Sequence, residues 1–93
     1  MGRRTIRLMP EYECEFPLWV PGSDLAPESV ADEELREDVM EWNQIFLDNF
    51  SAEHGWASEQ SRAQFSAMAP GLVERLTAHF GPHVTVVADL WPL

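Results

Sequence analysis

The sequence predicts a two-layer α+β domain: an N-terminal strand or hairpin, two helices with the second kinked or split near Pro70, and a C-terminal strand. Three observations carry this. Apolar and polar residues alternate from Thr5 to Phe16, apolar residues recur at helical spacing in two later segments, and a β-branched run follows near the C-terminus. At 93 residues the chain is long enough for one core and too short for two, so residues 1–93 are read as a single domain.

In the first segment Ile6, Leu8, Pro10, Tyr12, Cys14 and Phe16 share one face, and Thr5, Arg7, Met9, Glu11, Glu13 and Glu15 share the other. Pro10 cannot donate a ladder hydrogen bond, so it requires an edge, a bulge or a break into shorter strands. Division at Pro10 or Pro17 would make a hairpin and give three strands. Leu18, Trp19 and Val20 form an apolar patch before the turn residues Pro21 and Gly22.

Ser29 followed by Asp32, Glu33 and Glu34 resembles a capped, acidic helix start near Val30. Leu35, Val39, Trp42, Phe46 and Phe50 then mark one face of a helix running to about Asn49, with Met40, Ile45 and Leu47 widening the band. Ser58 is the second N-cap candidate, followed by a helical stripe from Phe65 to Phe80 and a stop at Gly81-Pro82. Pro70-Gly71 interrupts that stripe, where Pro costs about 3 kcal/mol and Gly about 1 kcal/mol in a helix interior. Val84 to Trp91 reads as a strand ended by Pro92, and the two terminal strands pair beneath the helical hairpin.

Charge is lopsided. Sixteen acids face six Arg and no Lys, for a formal net charge of -10. Such a surface argues against nucleic-acid and anionic-membrane partners; it favours a basic protein partner, or it serves solubility alone. A lone Cys14 builds no intramolecular disulfide, and no apolar run has the length of a signal peptide or a membrane span, so a cytoplasmic location is expected.

Glu11, Glu13 and Glu15 are the first candidate site. On one strand face they stand about 7 Å apart, a self-repelling row that meets Arg or Lys of a partner, holds a hard cation, or is a solvated face eased by Arg3, Arg4 or Arg7. Glu34, Glu37, Asp38 and Glu41 gather on one side of the first helix, with only Arg36 among them. Trp19, Trp56 and Trp91 lie near segment ends, as interface anchors or as core. His79 and His83 are separated by a helix stop, Cys14 lies on the apolar face, and no nucleophile elbow, P-loop or dinucleotide motif occurs. Neither a metal nor another cofactor is expected.

Arg7-Leu8-Met9-Pro10-Glu11-Tyr12 with Pro17-Leu18-Trp19, the helix carrying Glu34-Leu35 and Trp42, and Gly81-Pro82 with Val84-Thr85-Val86-Val87 resemble small acidic proteins of high-GC actinobacteria, a group with no assigned function. The resemblance covers most of the chain and implies a bacterial cytoplasmic origin. It carries over no site residue.

The expected function is a non-enzymatic protein-binding module, such as an immunity protein, antitoxin or inhibitor. Its acidic first half, with Trp19, would face a basic partner. A homodimeric structural or adaptor protein is the first alternative, and a small enzyme or metal-binding protein the second.

Overall fold

Pro10 has no N–H for a ladder, and the first strand stops before reaching it. In a computed structural model, which describes residues 4–91 and 93, strand β1 covers Arg4–Leu8 and β2 covers Leu18–Val20. Arg3 and Pro92, read above as a charge neighbour and a strand terminator, lie outside the described residues. The two strands are antiparallel, with Arg7 opposite Trp19 and Leu8 opposite Leu18. The hairpin alternative therefore holds, and a continuous strand to Phe16 does not. A two-residue turn at Pro21-Gly22 leads into β3, Ser23–Asp24; Gly22 takes a φ of +88°, a conformation that side chains other than Gly resist.

Ser29 does not cap the first helix. Its backbone N–H closes a 3₁₀ turn, Pro27–Ser29, onto Ala26, and Val30 behind it is fully buried. The cap passes to Asp32, whose carboxylate accepts from the Leu35 N–H at 3.1 Å, and α1 runs Glu33–Asn49. The connection that follows is a small hairpin, β4 (Phe50–Ser51) and β5 (Gly55–Trp56).

Helix α2, Glu59–Phe80, starts where expected: Ser58 Oγ accepts from the Ser61 N–H at 3.0 Å. It is not split at Pro70. The proline and Gly71 both face solvent, so water can satisfy the carbonyl that loses its donor, while Phe65, Ala69, Leu72 and Leu76 hold both halves of the helix in the core. The helix ends at Gly81, with φ of +86° and its N–H on Thr77 O.

The last strand, β6, spans Val84–Ala88, three residues shorter than its β-branched run suggests. It pairs in parallel with β1, Arg4 opposite Val84 through to Leu8 opposite Ala88, giving the order β3-β2-β1-β6. The architecture is thus α+β, and the terminal strands pair as predicted. Ile6, Leu8, Leu18 and Val86 line the inner face of the sheet and pack with Leu35, Val39, Trp42 and Phe46 of α1 and the buried residues of α2. Alternate residues of the strands point away from this core, so the outer face of the sheet is free of helices.

Candidate functional site

The expected row of Glu11, Glu13 and Glu15 is not on a strand. These residues lie in the loop of residues 9–17, because Pro10 is buried and breaks the ladder. The loop is nonetheless held at several points. Asn43 of α1, only 7% exposed, accepts from the Glu11 N–H at 3.2 Å and donates to the Glu11 carbonyl at 3.3 Å, taking the place of a strand neighbour. The Glu15 N–H donates to Asp24 Oδ2 at 2.7 Å, and the Met9 N–H reaches Pro17 O. Glu13 and Glu15 are exposed and Glu11 is half-buried.

Cys14 lies inside this loop, its Sγ donating to Glu11 O at 3.6 Å and 3.8 Å from Asn43 Nδ2. Burial raises its thiol pKa, and the nearby Asp24 and Glu11 charges raise it further. Such a thiol stays protonated, which makes it a poor nucleophile.

The second acidic group stands on the outer side of α1. Glu34, Glu37 and Glu41 are exposed and form no ion pair among the described residues; neither do Glu11, Glu13 and Glu15. Asp38 differs, accepting from Arg75 of α2 at 2.8 Å, and this bond raises the Arg75 pKa. Asp38 and Asn43 are five residues apart, or about 140° around the helix, so the two acidic groups occupy separate flanks. Of the residues that widen the apolar band of α1, Ile45 and Leu47 pack on the core while Met40 is exposed.

Trp19 belongs to neither group. Its cross-strand neighbours are Arg7 and Asp24, it is half-buried, and its indole N–H donates to Met9 O at 3.1 Å. With Thr5, Arg7, Met9 and Val20 it lines a shallow cleft of about 480 Å³ on the outer sheet face. The structure separates it from the α1 acids.

Two features escaped the sequence pattern. Asn43 is the first, and its signal was present: it stands four residues after Val39 and three before Phe46, an amide on an apolar face. The second is a cluster of rings at the end of the molecule where the loop, α1 and the C-terminal segment meet. Tyr12 lies 5.0 Å from Phe46, and Trp91 stands edge-on to Phe46 at 5.5 Å and to Phe50 at 5.7 Å. Trp91 also donates its indole N–H to Pro10 O at 2.7 Å. Nothing in sequence spacing brings residues 12 and 91 together.

Among the described residues no group of three or more His, Cys, Asp or Glu is placed to hold a metal ion, and no helix is long and apolar enough to cross a membrane. The fold and surface define a small acidic α+β domain with much of its charge unpaired and a locally ordered acidic loop. Its sequence matches the family described as Serratia CdiI immunity protein-like over residues 4–88, and the chain belongs to that family. No curated protein matches it.

Proposed function

We propose that the chain is an immunity protein that binds and blocks a cognate toxin through a basic surface on the toxin. Family membership carries the reading, since an immunity protein acts by occupying its target and needs no chemistry of its own. The surface fits such a role. Glu11, Glu13 and Glu15 on the loop and Glu34, Glu37, Asp38 and Glu41 on α1 offer charge that intramolecular pairing leaves largely unspent. Charge of this kind steers encounter with a cationic partner and sets a strong salt dependence. Trp19, on the outer sheet face, is a separate contact for the same partner. A cytoplasmic location belongs to the proposal, since a lone free thiol fits a reducing compartment.

The test starts from the genes that flank this one: any toxin domain encoded there is co-expressed with the chain, and binding of the purified pair is measured. Protection of the host is expected, with affinity falling steeply from about 50 to 500 mM salt. Reversal of Glu34, Glu37 and Glu41 to Lys should slow association. Affinity that is flat across salt, or unprotected cells, refutes the reading.

A further inference from the structure

We infer that Tyr12 and Trp91 form the anchor of the partner-binding surface, a two-ring platform that receives an arginine side chain of the basic partner. The inference rests on the immunity reading and names the chemistry at its centre.

The first ground is exposure. Tyr12 is 42% and Trp91 43% exposed, with ring centroids 6.5 Å apart, so two large aromatic surfaces open to solvent side by side. The second is rigidity. Both rings rest on Phe46, which is fully buried, and the Trp91 indole is further tied to Pro10 O. The backbone that carries Tyr12 is tied through Glu11 to Asn43. Rings fixed before contact lose little freedom on binding, the property that makes Tyr and Trp effective anchors.

The third ground is charge. Glu11 and Glu13 flank Tyr12, the Glu11 carboxylate accepts from the Tyr12 N–H at 2.9 Å, and no Arg of the described chain pairs with either acid. An exposed ring on a loop whose neighbouring carboxylates are free of ion pairs suits a planar guanidinium, which can stack on a ring and pair with an acid at once. Among the described residues the other surfaces lack this combination. The outer side of α1 has acids without an exposed ring, and Trp19 already has Arg7 as its cross-strand neighbour.

The platform is testable without the toxin, by NMR titration of the full chain with tetra-arginine amide in low salt. The Trp91 indole N–H and the Tyr12 amide should show the largest shifts, and Tyr12→Ala should weaken binding about fivefold or more. Trp91→Phe, which keeps a ring in the packing, should weaken it less, and tetra-lysine amide should bind less tightly than tetra-arginine. Shifts centred on residues 34–41 with a still Trp91 indole, or Tyr12→Ala binding like the parent, overturn the platform. The toxin separates the two claims. If the neighbouring toxin fails to bind while the peptide behaves as expected, the immunity reading falls and the platform stands. If it binds the parent and Tyr12→Ala equally, the platform falls and the immunity reading stands.

Discussion

The loop of residues 9–17 and the outer side of α1 both carry unpaired acids, but they are built by different means. On α1 the carboxylates of Glu34, Glu37 and Glu41 project from regular backbone into water, and of that acidic group Asp38 alone is held by an ion pair among the described residues. In the loop the backbone departs from regular structure and is held by a buried amide, a carboxylate and a floor of aromatic rings. Charge on a solvated helix is interchangeable along its length and favours long-range attraction. Charge on a fixed loop has a defined position, which is what discrimination between partners requires.

The strongest way to break this contrast is to remove the floor. Phe46→Ala takes out a fully buried ring shared by Tyr12, Phe50 and Trp91, and should lower stability by about 3–5 kcal/mol in urea unfolding. A smaller loss would mean that the rings above it collapse into the space. Asn43→Ala should cost about 1–3 kcal/mol, because the Glu11 N–H loses its partner and the Glu11 carbonyl keeps only the weak Cys14 thiol donor. Its signature is local: amide exchange should accelerate at residues 11–14 and not along the outer side of α1. The mildest change, Asp38→Asn, should cost less than about 1 kcal/mol in low salt and almost nothing in high salt, since the pair with Arg75 is largely exposed. A larger, salt-insensitive effect would show that α1 is tied to α2 more firmly than a surface ion pair allows.

Much of the fold was legible because the signals are local. Ser58 capped its helix, Gly81 ended it, and the β-branched run at Val84 formed a strand, each decided by neighbours within a few residues. The errors also have local causes. The alternation from Ile6 to Phe16 holds in burial as far as Pro10 and fails at the exposed Tyr12, because Pro10 removes the ladder and a strand signal continued into a loop. Ser29 and Asp32 are both good caps, and the choice fell to Asp32 because Val30, between them, is drawn into the core. At Pro70 the intrinsic penalty was real but was outweighed by core contacts on either side. The acidic residues were legible as composition, whereas their division between two flanks depended on which side of α1 holds Asn43. The Tyr12–Trp91 pair depends on strand pairing across the length of the chain, and periodicity carries no trace of it.

That pairing has a consequence for timing. The helical hairpin joins segments close in sequence, whereas β1 finds β6 only after about eighty intervening residues, and contacts of such long range form slowly. The bond from the Trp91 indole to Pro10 bridges 81 positions and closes beside that same strand pair. A partner that grips both rings would therefore recognise only a finished chain. Fragments and half-folded copies would carry the acid but not the shape.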